Sequence, residues 1–310
     1  MDLGAISPAL LAASLMVAAT PILLAALGEL VVEKAGVLNL GVEGMMIVGA
    51  VCGFVAAVST GSPALGFLGA ALGGAALALV FGVLTQLLLA NQVATGLGLT
   101  LFGLGLSALI GQGYQGTRPP RTGKLEIPWL VDIPVIGRVL FGHDPIVYLS
   151  LAMVVGVWLF LTRTRAGLIL RAVGENHDAA HALGYRVVAV RLAAIAFGGA
   201  CAGLGGAYLS LVRVPSWTEG MTAGAGWIAL ALVVFSAWRP GRLLLGAYLF
   251  GGLVVLQLNL QAAGARIPVE YLSMSPYLLT ILVLVVISSG RGRAALNAPG
   301  SLGKSYHAAS

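Results

Sequence analysis

Long apolar runs alternate with short polar clusters along almost the whole chain. About 20 consecutive apolar residues span the hydrocarbon core of a bilayer as a helix. Runs near that length cover 6–27, 36–58, 64–90, 93–110, 145–161, 188–212 and 243–260, with a last one at 271–287. The run at 223–238 is short and Gly-rich and reads as a short span or a re-entrant piece. A polar cluster of Glu29, Glu33, Lys34 and Asn39 separates the first two runs. No charged residue occurs between Gly44 and Thr117, so the third and fourth runs meet in a tight turn at Asn91–Gln92 or one of them is broken.

Composition turns this pattern into a class. Hydrophobic residues are 59% of the 310 and charged residues 9%, against about 25% charged in soluble domains. That excludes a soluble globular enzyme, and so rich an apolar content excludes a disordered chain. The 44 glycines suit helices that pack closely in lipid. The fold class is therefore all-α, a polytopic transmembrane helical bundle. The first run lacks a basic segment ahead of it and reads as a span, not a cleaved leader. Cys52 and Cys201 lie in apolar runs with no CxxC pattern, so no disulfide framework or zinc site is expected.

The net charge of +6 reads as loop arginines on the cytoplasmic side, and no nucleic-acid partner is expected. Arg163, Arg165, Arg171, Arg186 and Arg191 share one loop, Arg239 and Arg242 a turn, and Arg291 and Arg293 the start of a tail. Two segments separate each pair of clusters, so all three sit in the cytoplasm. The count is nine crossings, within a range of eight to ten, with the N-terminus outside and the C-terminus cytoplasmic. One membrane domain, 1–290, then carries an external Pro-rich loop at 111–144 and a cytoplasmic loop at 162–191, followed by a short cytoplasmic tail, 291–310.

Two constellations carry candidate chemistry. In the first, Asn39 and Glu43 flank the start of the second run, and an acid inside an apolar segment is costly enough to need a reason. One reading is a capped helix start, Asn39 as N-cap with Glu43 in a first turn that favours an acid. The other is a gate or broken helix at a pathway. Asn91, Gln92, Thr95 and Thr100 are further candidate pathway groups, each with a helix cap or interhelical hydrogen bond as its alternative. In the second, 176–183 predicts a short helix: Asn176 or Glu175 starts it, Asp178 lies in its first turn and Gly184 closes it. Ala179, Ala180 and Leu183 form one small apolar face, suited to docking. His177 and His181 are four apart but have no third ligand nearby, so no metal is expected.

The chain has no GxxxxGK[ST] phosphate loop, no HExxH and no GxSxG, and no catalytic residue is expected. An ion-coupled secondary transporter needs a mid-membrane ion site and an inverted repeat. Glu43 is the one acid read inside a segment, and no clear repeat relates the halves.

Three pieces resemble the permease subunit of ABC importers for simple sugars and nucleosides, within the ribose and branched-chain amino acid permease group. They are EKAGVLNLGVEGMMIVGA from Glu33, ANQVATGLGLTLFGLGLSALIG from Ala90, and RAVGENHDAAHALGYRVVAVRLAAIAFGGACAGLGGAYLS from Arg171. The resemblance implies that Gly174, Glu175, Asn176, Asp178, Ala179, Ala180, Leu183 and Gly184 make the cytoplasmic coupling helix. It implies an ATP-binding partner subunit that uses ATP-Mg, a second permease (different or identical), an external substrate-binding lipoprotein, and a small-molecule substrate. This chain itself would bind no cofactor and sit in a bacterial cell membrane. The first piece is closest to nucleoside-type members and favours a nucleoside, with pentoses or other simple sugars and branched-chain amino acids as alternatives. Where similar nucleoside-type members often carry Asn, this chain has Thr100.

Overall fold

The computed structural model describes residues 8–125, 141–262 and 298–307, with single positions between 268 and 285. Every regular element among them is helical. They are α1 (Pro8–Lys34), α2 (Val42–Thr60), α3 (Pro63–Gly82), α4 (Gln92–Gly111), α5 (Pro145–Arg163), α6 (Arg165–Glu175), α7 (His177–Ala182), α8 (Val187–Tyr208), α9 (Ala225–Phe235) and α10 (Pro240–Ala262). Two of them run on into a single π turn, α3 through Val83–Leu87 and α8 through Leu209–Arg213. Among the described residues, seven helices are long and apolar enough to cross a membrane. The chain is thus an all-α polytopic bundle. Of the other two expected crossings, 223–238 is the 11-residue α9, about 16 Å long at 1.5 Å per residue. The run 271–287 lies largely outside the described residues.

Helices α1 and α8 form the centre. The first packs against α5, α8, α9 and α10, and α8 packs against α1, α2 and α3. Helix α8 reaches three neighbours at once because its small residues are spread around it. A Cβ on Gly198 would strike Val32 of α1, one on Gly199 or Gly203 would strike the α3 backbone or Ala78, and one on Gly206 would strike the carbonyl of Met46 in α2. The stretch Gly198–Ala207 therefore has close-packing surfaces on several sides, not one face. Backbones that approach this closely gain dispersion contacts along their length, the main attraction available between helices in lipid.

The second expected segment is shorter than its apolar run. Residues 36–41 are not helical, and α2 begins at Val42. Gly36 at φ +84° turns the chain out of α1. Conversely, α1 is longer than its run: Glu29, Glu33 and Lys34 continue it, and both acids are 1% exposed. The expectation that Glu43 is the one acid inside a segment is corrected accordingly. Glu has good helix propensity, and the last two turns of α1 stay helical beneath the packed bundle.

The bundle has two ends. At one, the last turn of α1 meets the α9–α10 turn, the α1–α2 connection meets α6 and the tail segment 298–307, and the tail meets α7. At the other, Tyr208 donates to Asp144 Oδ2 at 2.8 Å, while Asp144 caps α5 through Ile146 N and Val147 N. There too, Trp217 lies against Gly111, and Phe54 meets Tyr114 edge-on.

Candidate functional site

Residues 35–41 form the most unusual piece of backbone, a non-helical strand of chain inside a membrane bundle. Such backbone is tolerated at depth only where protein or water satisfies its polar groups. Here side chains and backbone from four other places do so. Arg191 Nε donates to Ala35 O at 3.2 Å, and Gly303 N to Gly36 O at 3.1 Å. Leu38 N donates to Gln92 Oε1 at 2.8 Å, and Asn39 N to Glu29 Oε1 at 3.3 Å. Thr100 donates to Leu40 O at 3.2 Å, and Gly41 N to Asn39 Oδ1 at 2.9 Å. Helix α4 comes close enough for this because Gly96 and Gly103 leave no side chain against Leu40, Gly41 and Gly44.

Glu43 lies at the end of that segment and is 5% exposed. Its Oε1 accepts from Thr222 at 2.5 Å and from Gly224 N at 3.0 Å, and its Oε2 accepts from Gly226 N at 2.7 Å. The carboxyl group of α2 thus closes the N-terminus of α9, where the free N–H groups and the helix dipole favour an acceptor. The turn entering α9 is tight, with Gly220, Ala223 and Gly224 at positive φ. At its other end Trp238 Nε1 donates to Glu33 Oε2 at 2.5 Å, with Lys34 Nζ 5.9 Å from the indole centroid. Helix α9 is a half-span pinned at both ends to acids beside the 35–41 break.

Helix α7 begins where expected. Asn176 caps it, accepting from Asp178 N and Ala179 N at 3.1 and 3.0 Å, and Gly184 leaves it at φ +85°. The expected apolar face is corrected. Ala180 is 2% exposed and packs inward with Val173, Val187 and Tyr306, while Ala179 and Leu183 face out, Leu183 at 74% exposed. Gly174 is also interior, against the Lys34 carbonyl. His177 and His181 both contact the Tyr306 ring, at 5.4 and 5.7 Å between centroids. The described residues include no group of three or more metal-ligating side chains.

Arg191 is the largest correction. It was expected among the loop arginines, yet it is 0% exposed. Arg163, Arg165, Arg171 and Arg186 are exposed. Besides Ala35 O, Arg191 Nη1 donates to Gln86 Oε1 at 3.2 Å and Lys304 O at 3.1 Å, and Nη2 lies 3.2 Å from His177 Nδ1. A guanidinium has no acceptor, so His177 Nδ1 accepts and the ring carries its proton on Nε2, 3.5 Å from Asp178 Oδ1. Burial, and then the Arg191 charge, hold the His177 pKa below its ordinary value.

The six candidate pathway residues therefore separate. Asn39, Glu43, Gln92 and Thr100 converge on the break and are buried. Gln92 Nε2 is buried and has no hydrogen-bond partner among the described residues. Asn91 is exposed and caps α4 through Ala94 N, and Thr95 is half-buried on the first turn of that helix. Asn39 makes a turn with Gly41 and does not cap α2, whose N-cap is Gly41. Sequence reasoning missed Glu29, Gln86, Arg191 and Trp238. A signal existed for two of them: Glu29 follows the end of the run 6–27 by two residues, and Arg191 lies inside the run 188–212.

The family model described as branched-chain amino acid transport system / permease component matches residues 11–286. The chain belongs to this family. It is 43% identical over 94% of its length to a Haloferax volcanii protein named "Putative glucose ABC transporter permease protein", of which it covers 95%. It is 33% identical over 92% of its length to the guanosine ABC transporter permease of Bacillus subtilis, covering 93% of that protein. To the nucleoside ABC transporter permease of Lactococcus lactis it is 32% identical over 89%, covering 92%. No solved structure matches. The chain is a multi-pass membrane protein, a non-catalytic permease component of a binding-protein-dependent ABC importer.

Proposed function

We propose that the imported substrate is a simple sugar. The observation that carries this is the identity gap: 43% to the permease named for glucose against 32–33% to those named for nucleosides. The nucleoside reading drawn from residues 33–50 becomes the second reading, kept because two relatives with that assignment align over about nine-tenths of the chain.

In this reading the chain forms half of a pathway with a second permease, identical or different. A partner ATPase binding ATP-Mg drives it, and an external lipoprotein delivers the sugar. The end holding α7, the α9–α10 turn and the tail is cytoplasmic, which places the N-terminus outside. Four exposed arginines at that end, in the loop 162–191, support the assignment. Helix α7 and its two ends, with Glu175, Asn176, Asp178, Ala179 and Leu183 exposed, dock the ATPase. Gly174 and Ala180 anchor the helix from inside. The break at 35–41 and the half-span α9 are the discontinuous helices at which transporters bind and gate small polar substrates. Gln92 offers a buried Nε2 donor there, suited to a sugar hydroxyl.

Calorimetric titration of the partner lipoprotein with glucose, ribose and guanosine tests the substrate. Tight binding of a sugar with guanosine at least tenfold weaker is expected. The reverse order overturns the sugar reading and installs the nucleoside one.

A further inference from the structure

The tail segment 298–307 is not a loose appendage. Ser301 N donates to Gly174 O at 2.9 Å, the Ser301 hydroxyl reaches Glu175 O and His177 N at 3.3 Å each, and Gly303 N donates to Gly36 O at 3.1 Å. A Cβ at Gly300 would meet the Glu175 carbonyl. Tyr306, 6% exposed, meets the ring of His177 edge-on and that of His181 at a tilt. The tail is therefore bonded to the end of α6, to α7 and to Gly36 in the 35–41 break.

Arg191 sits at the middle of that contact. Its five N–H donors form a rigid planar fork. Four acceptors on four different pieces of chain take four of them: His177 on α7, Lys304 O on the tail, Gln86 in the π turn of α3, and Ala35 O at the mouth of the break. None of the four is a carboxylate, so the charge is held by dipoles fixed in position. A displacement of α7 cannot leave this set intact unless Ala35 moves with it, because a buried arginine that loses its acceptors is left without compensation.

We infer that Arg191 is the positioning residue through which movement of α7 reaches the buried segment 35–41, with the tail 298–307 as the clamp that keeps the two in register. This rests on the reading of α7 as the ATPase docking helix.

The test is hydrogen exchange on the complete transporter complex, without nucleotide and trapped with ATP and vanadate, followed by uptake and ATP hydrolysis in proteoliposomes. In the wild type, exchange at 174–183 and at 35–41 changes together on trapping. In Arg191→Lys, which keeps the charge and loses the fork, and in Tyr306→Ala, which loosens only the clamp, 174–183 still responds. In both, the response at 35–41 falls at least threefold, and sugar moved per ATP falls about as much while basal hydrolysis persists. A purely structural role would lower assembly and leave that ratio unchanged. If Arg191→Lys does not assemble, Tyr306→Ala decides. A wild-type response at 35–41 in an assembled variant overturns the inference. No nucleotide response at 174–183 in the wild type overturns the docking reading and the inference with it.

Discussion

Glu43 accepts the backbone N–H of Gly226 at 2.7 Å, which fastens the first turn of α2 to the first turn of α9 across 183 residues of sequence. Thr222 and Gly224 N donate to the same carboxyl group. All three of these partners are donors. Glu43→Gln turns an amide donor toward one of them, and Glu43→Ala leaves all three unmet. Leaving one buried donor unsatisfied costs about 1–3 kcal/mol. Thermal inactivation in detergent should therefore rank wild type above Glu43→Gln above Glu43→Ala. Equal midpoints would mean that α9 is held by something else.

Gly206 of α8 and Gly105 of α4 should respond in opposite ways. A methyl on Gly206 meets the Met46 carbonyl, while one on Gly105 meets nothing within 4 Å. Gly206→Ala overpacks a tight helix contact and should cost about 1–3 kcal/mol. Gly105→Ala should be neutral or gain up to about 1 kcal/mol from helix propensity. The yield of monodisperse protein after heating reports both.

Burial and Arg191 lower the pKa of His177, which fixes the sign of a pH effect. Released from its site, His177 takes a proton near its ordinary value of about 6.5, whereas the docked ring resists until lower pH. The docked arrangement therefore keeps its full stability above about pH 6.5. It loses stability as pH falls below that value, levelling off beneath the lowered pKa. Asp178 opposes this shift, and Lys304 and His307 reinforce it. Asn in place of His177 keeps an acceptor for Arg191 and cannot titrate. The wild type should thus lose thermal stability relative to His177→Asn as the pH falls below about 6.5. Parallel pH curves would mean that docking leaves the proton affinity of His177 unchanged.

Leu183 is 74% exposed on α7. Leu183→Glu should leave the permease as stable as the wild type, within about 0.5 kcal/mol as for ordinary surface changes, yet reduce co-purification of the ATPase severalfold. Undiminished co-purification would remove Leu183 from the docking surface.

These features were unequally legible in the sequence. Helix α7 was readable because caps are local: Asn176 and Gly184 act on backbone groups within three residues of themselves. The bundle was readable because apolar runs of span length have few other uses. The break at 35–41 was legible only as one of two alternatives for Asn39 and Glu43, since Val37, Leu38, Leu40 and Val42 prolong an apolar pattern. What keeps that stretch non-helical is Gln92, Thr100, Glu29 and Arg191, brought to it by tertiary packing. Arg191 was misread for a related reason. Its place five residues into α8 says that it is near an end, and only the fold says that it turns inward.

The most direct measurement is uptake of labelled glucose into proteoliposomes holding this chain, its partner permease and the ATPase, with the sugar-loaded lipoprotein outside those membranes and ATP-Mg on the α7 side. Concentrative uptake that needs both ATP and the lipoprotein, and that a tenfold excess of guanosine leaves in place, is the predicted result. Uptake driven by a proton or sodium gradient with this chain alone would contradict it.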